Sequence, residues 1–160
     1  EKTARIYTDL GFFTAQDDNS IGETISGSSG DPTATYYANP ALSFENSALT
    51  DLKHIRFLHA KTGIYYSMVS GASHTVTHAH FIRCETAIAP HSTFYLRNAL
   101  LANVLTNFVG NAAYPFQGFC EHLTHVPPFQ GDRFRSRQQR NILSFTPLAR
   151  VDEPVPIGFS

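Results

Sequence analysis

The residues with the clearest potential for chemistry lie between Ser73 and Ile82, where three histidines alternate with small and apolar residues. Side chains of a β-strand point alternately to its two faces, so the pattern predicts that His74, His78 and His80 share one face. The Cβ atoms of His78 and His80 would lie about 7 Å apart, so their ring nitrogens could converge on one metal ion. His74 would lie about 13 Å from His78, too far to join that ion.

A second group of metal donors occupies residues 120–125. The candidate metal ligands are therefore His78, His80, His122 and His125, with Glu121 as a candidate base and zinc or iron as the expected ion. Alternatively, three copies of the chain could bring their His78-Ala79-His80 segments to a three-fold axis. This tripeptide resembles the HxH pairs of some trimeric phage fibres. Two further interpretations stay open: proton transfer without a metal, and ordinary polar residues on a half-solvated sheet.

Motifs that would identify an enzyme are absent from the sequence. It contains no HExxH, no GxSxG and no glycine-rich phosphate loop. Cys84 and Cys120 lack the CxxC spacing of a metal site, and the sequence does not show whether they form a disulfide. Whether the chain is an enzyme is therefore open, and the balance favours a non-enzymatic protein.

The basic residues are concentrated late in the chain. Arg133, Arg135, Arg137 and Arg140 form a candidate binding stripe for phosphates, sulfated sugars or an acidic neighbour. Residues 1–52 carry eight acids and two bases, whereas residues 53–160 carry five acids and ten bases. This asymmetry favours association between copies of the chain. A net charge of −1 does not suggest a nucleic-acid-binding protein.

Composition indicates one domain of 160 residues with few charges, since Asp, Glu, Lys and Arg make up 16%. The sequence has no apolar run long enough to cross a membrane. Residues 16–33 are mostly polar and small and predict a surface arm or loop, and residues 150–160 predict an extended tail.

Short alternating segments predict a mainly β fold, which we interpret as an antiparallel β-sandwich or jelly-roll-like domain. Residues 92–109 lack Gly and Pro and place Leu101, Val104, Leu105 and Phe108 at helical spacing, so they predict one helix. The predicted core residues are Ile55, Phe57, Ile64, Tyr66, Phe81, Leu101, Leu105, Phe108, Ile142 and Phe145.

These features favour a non-enzymatic structural or binding subunit of a larger assembly, such as a capsid, decoration or fibre-like protein. The expected partners are further copies of the chain or other assembly subunits, in a virion or outside the cell. One alternative is a metal-dependent enzyme or metal-binding protein that uses the histidine cluster. The other is a carbohydrate-binding module that uses Tyr36, Tyr37, Tyr65, Tyr66 and Tyr114 as stacking surfaces.

Overall fold

A computed structural model describes residues 4–6, 11–33, 36–46, 49–110 and 116–128. Within these residues the chain forms ten β-strands, and all of their pairings are parallel. The strands are β1 (Ala4–Ile6), β2 (Gly11–Phe13), β3 (Leu42–Phe44), β4 (Leu49–Leu58), β5 (Thr62–Tyr66), β6 (Ser73–Ile82), β7 (Thr86–Ala89), β8 (Thr93–Ala102), β9 (Thr106–Phe108) and β10 (Gly118–Val126).

The strands build two sheets that run side by side along one axis. The larger sheet has the order β1-β4-β6-β8-β10, with β2 also paired to β4, and the smaller has the order β3-β5-β7-β9. From β3 onward the chain alternates between the sheets, so each turn of the chain stacks on the one before. The result is a β-solenoid. One turn cannot bury its own inner face, and stacking lets successive turns share a continuous core.

The predicted antiparallel sandwich or jelly roll is therefore wrong. Residues 53–59 and 64–69 fit two strands of a hairpin by composition, but β4 and β5 lie in different sheets and pair with other turns. Alternation of apolar and polar residues is typical of antiparallel sheets because one face meets water. The long strands here show the same alternation because their outer face is exposed while their inner face lines the solenoid.

The predicted helix at 92–109 is also wrong, since these residues form β8, a bend and β9. Asn103, with φ of 55°, turns the chain from one sheet to the other. Leu101 and Val104 are both buried because they flank this turn. The helical spacing of these residues thus reflects a corner of the solenoid, and packing against the neighbouring turns overrides helix propensity.

The core consists of columns in which one inward-facing residue of each turn packs on the equivalent residue of the next. Leu52, Val76, Leu96 and Cys120 form one column through the pairing of β4, β6, β8 and β10. Phe13, Phe57 and Phe81 form another, with ring centroids 5.2 Å and 5.1 Å apart. Such aligned aromatic stacks bury large apolar surfaces against each other.

Of the predicted core residues, Ile55, Phe57, Ile64, Tyr66, Phe81 and Leu101 are buried, which confirms them. Leu105 and Phe108 are half-buried. Ile142 and Phe145 lie outside the described residues, as do residues 150–160, for which an extended tail is predicted, and the four arginines at 133–140.

Residues 14–33 form turns and irregular structure, and most of these residues are exposed. The Asp17 carboxylate accepts hydrogen bonds from the backbone N–H of Ser29 and from the hydroxyl of Tyr37. The neighbouring Asp18 is buried and accepts hydrogen bonds from the hydroxyls of Thr14 and Ser20. The two carboxylates therefore accept hydrogen bonds from donors that lie outside the strands. Across the described ranges, no helix is long and apolar enough to span a membrane.

Candidate functional site

Strand β6 contains the predicted histidine pair, and its burial pattern reverses at His78. Before this residue, His74 and Val76 are buried; after it, Ala79 and Phe81 are buried. The expectation that residues 74–82 are extended is confirmed, since β6 contains all of them. The prediction that His74 shares a face with His78 and His80 is wrong, because His74 lies inside the solenoid, whereas His78 is exposed and His80 is half-buried.

The reversal occurs because His78 adopts a left-handed backbone conformation with φ of 55°. The equivalent residues of the neighbouring turns do the same: His54, Asn98 and His122 have φ of 53°, 49° and 52°. We call these four residues the left-handed column. A second set, His59, Arg83 and Asn103, repeats this conformation where the long strands end. Asn and His tolerate positive φ better than most residues other than glycine.

Four of the eight histidines, namely His54, His59, His78 and His122, therefore stand where the backbone must be left-handed. Each lets the long strand change direction while a polar ring faces outward or fills a corner. The imidazoles of His54 and His78 stack with their centroids 4.8 Å apart and their planes 4° from parallel. The abundance of histidine thus has a source in the solenoid backbone itself.

The four predicted metal ligands do not converge. His78 and His122 belong to the left-handed column but are separated by the turn that carries Asn98. His80 stands between Arg56 and Leu100 in the strand register, and His125 is paired with Leu101. Among the described residues, no three or more His, Cys, Asp or Glu side chains are grouped to hold a metal ion. This corrects the expectation of a metal-binding histidine cluster.

Burial lowers the pKa of His74 and His80 on β6. Partial burial, with a smaller contribution from the guanidinium of Arg56, lowers the pKa of His80. Burial lowers the pKa of His74 to about 4, so its ring is neutral at pH 7. The Nδ1 atom of His74 lies 3.0 Å from the Thr50 hydroxyl, and its ring stacks on Tyr66 at a centroid distance of 4.0 Å. His74 is thus a core residue and not an accessible acid or base.

Neither cysteine is poised for reaction. Cys84 and Cys120 are both free thiols, which answers the open question of a disulfide within the chain. Burial raises the pKa of Cys84 to about 11 and that of Cys120 to about 12. Both are therefore thiols at neutral pH, and a thiol is a far weaker nucleophile or metal ligand than a thiolate.

A groove on the outer surface is one concave site that could hold a ligand. It has a volume of about 740 Å³ and is lined by residues 68–73, 91–93, 116–117, Tyr95 and Phe119. The lining comes from three successive turns at the beginnings of β6, β8 and β10. A volume of this size is within the range typical of small-molecule sites.

Two stacked rings form part of the groove lining. Tyr95 of β8 and Phe119 of β10 lie with centroids 4.9 Å apart and planes 12° from parallel, because parallel in-register strands place them side by side. His91 contacts Tyr65 edge-on, which orients the loop between β7 and β8. The buried hydroxyl of Ser92 has no hydrogen-bond partner among the described residues.

Those of the groove's lining residues that the structure describes carry hydroxyl, amide and imidazole groups and include no Asp, Glu, Lys or Arg. It can therefore bind a neutral molecule through hydrogen bonds and aromatic contact. Sequence reasoning missed it because its residues are distant in the chain and only the stacking of turns joins them. Comparisons with protein-family models, with curated proteins and with solved structures gave no significant match to this chain.

Proposed function

We propose that this chain is a non-enzymatic structural module of a larger assembly, in which the solenoid serves as a rigid rod. The observation that carries this proposal is the repetition of one cross-section along the axis. The columns through Leu52, Phe57 and His54 each continue from β4 to β10. A body built this way can be extended by adding turns without changing its section.

Strand β10 is where such an extension fits. Within the described part of the chain it pairs with β8 alone, so its other edge presents backbone hydrogen-bonding groups. His125 occupies the inward column of Phe57, Phe81 and Leu101 yet is exposed in β10. A further strand laid on β10 would cover His125 and continue the column.

Light scattering coupled to size-exclusion chromatography tests the proposal. We expect a mass that rises with concentration above the 17.7 kDa of one chain. The substitution His125→Asp places a carboxylate on the inward column, so it should weaken association at least tenfold while the monomer stays folded. His122→Asp is the matched control, because His122 is exposed on the same strand in the left-handed column, where Asp is tolerated.

A strictly monomeric chain at high concentration would contradict the proposal. Equal association of the two variants would contradict the role of the β10 edge. Circular dichroism and thermal melting of both variants show whether each remains folded.

A further inference from the structure

We infer that the groove around Tyr95 and Phe119 is a binding site for a neutral carbohydrate. This goes beyond a structural role and does not depend on it, since a solenoid can bind a glycan whether or not it assembles.

The lining matches the two kinds of surface that a sugar ring presents. The rings of Tyr95 and Phe119, stacked on each other, contribute apolar surface to the lining, against which the C–H groups of a pyranose can pack. Hydroxyls of Ser70, Ser73 and Thr93 and the amide of Gln117 line the same groove and can both donate and accept hydrogen bonds. Sugar hydroxyls have the same dual capacity, so each group can be paired.

Charge excludes the main competing ligands. A phosphate, sulfate or uronate would lose water on entering the groove and would find no Lys or Arg among the described lining residues. A cationic ligand would find no carboxylate on the described part of the lining. A purely apolar ligand would leave the hydroxyls and the amide without partners, which costs free energy. A neutral polyhydroxylated molecule avoids all of these penalties.

Ser92 supplies an independent observation. The residue is 8% exposed, it lies in the groove lining, and its Oγ atom has no hydrogen-bond partner among the described residues. A buried hydroxyl in this state is unfavourable in the free protein, and a ligand hydroxyl that reaches it would remove the penalty.

The groove extends over more than one turn of the solenoid. Because its lining spans three turns and neighbouring strands lie about 4.8 Å apart, it extends roughly 10 Å along the axis. A short oligosaccharide lying parallel to the axis would therefore contact the loop before β6, the start of β8 and the start of β10 at once.

A glycan array printed with neutral and anionic oligosaccharides tests this inference on the full chain. We expect binding to neutral glycans, followed by titration calorimetry with the best of them. Phe119→Ala should weaken that binding at least tenfold, and Ser92→Ala should weaken it severalfold without lowering the melting temperature. Phe12→Ala is the matched control, since it removes an exposed phenylalanine outside the groove and should leave affinity unchanged.

A second variant guards against a folding defect in Phe119→Ala. Ser70→Arg places a long cation into the groove from an exposed loop position and should abolish binding with an unchanged melting temperature. No binding to any neutral glycan, a preference for anionic glycans, or full binding by Ser70→Arg would each overturn the inference.

Discussion

The two halves of β6 differ in what their histidines do, although one strand carries them all. In the first half His74 points inward and packs between Thr50 and Tyr66. In the second half His78 and His80 stand outward while Ala79 and Phe81 enter the core. One left-handed residue separates the two behaviours. Spacing along a strand therefore identifies side chains that share a face only where the backbone conformation is uniform.

The largest effect should come from removing a core ring of the second half. Phe81→Ala interrupts the column of Phe13, Phe57 and Phe81 and should lower the free energy of unfolding by about 3–5 kcal/mol. The adjacent substitution His80→Ala should change it by less than about 0.5 kcal/mol, since His80 faces outward. Urea unfolding measures both. Similar losses for the two variants would contradict the assignment of inner and outer residues.

In the first half of β6, His74 should make the stability of the protein depend on pH. His74 has a pKa of about 4 in the folded chain and an ordinary value of 6.5 when unfolded. The unfolded state therefore binds more protons between these values, so stability is full above pH 6.5 and is lost as the pH falls toward 4. The loss should be on the order of 3 kcal/mol. Urea unfolding at a series of pH values measures it.

His74→Phe is the control for this experiment, because a phenyl ring keeps the stack on Tyr66 without titrating. Its unfolding free energy should fall less steeply over the same pH interval. An identical pH dependence in the two proteins would show that His74 is not the group responsible.

At His78, where the two halves meet, the stability of a variant should depend on how well the new residue adopts a positive φ and not on its side-chain chemistry. His78→Val forces a β-branched residue into the left-handed region and should cost about 1–3 kcal/mol. His78→Gly suits a φ of 55° and should cost close to nothing. Chemical denaturation of both variants checks this. Equal destabilisation by valine and glycine would indicate that the imidazole itself is what matters.

The smallest effect on the free energy of unfolding is expected from an exposed ion pair on the outer face of the larger sheet. Arg97 Nε and Glu121 Oε2 form an ion pair at 2.7 Å, with more than a third of each side chain exposed. Glu121→Gln should cost at most about 1 kcal/mol, and the difference from the parent should vanish in high salt. A larger, salt-independent loss would mean that Glu121 is buried by contacts beyond this pair.

Part of this molecule could be predicted from its sequence. The extended segment at 73–82 and core residues such as Ile55, Phe57 and Phe81 follow from β composition and alternation. The parallel solenoid does not, because its repeat is irregular. Leu52 pairs with Val76 after 24 residues, and Val76 pairs with Leu96 after only 20. Connecting loops of unequal length absorb this difference and hide the period.

The site residues show a second kind of failure. A glycine in the middle of a strand would have signalled a change of backbone conformation, but His78 and Asn98 carry the same conformation without that signal. The groove was invisible for another reason, since Ser92, Tyr95 and Phe119 become neighbours only when the turns stack. The spacing of the histidines therefore predicts a chemical site, whereas four of them occupy positions where the backbone is left-handed.

The stacking of turns is the claim on which the columns, the histidine assignments and the groove all depend, and a crosslinking measurement tests it most directly. Thr77 pairs with Lys53 on one side and with Arg97 on the other. With cysteines at 77 and 97, neighbouring parallel strands place the Cα atoms within the range of a disulfide. Cysteines at 53 and 97 would lie roughly 10 Å apart across β6, which is too far.

Peptide mapping under mild oxidation should therefore detect the disulfide in Thr77→Cys/Arg97→Cys and not in Lys53→Cys/Arg97→Cys. The reverse result, or equal crosslinking of the two pairs, would contradict a parallel, in-register solenoid.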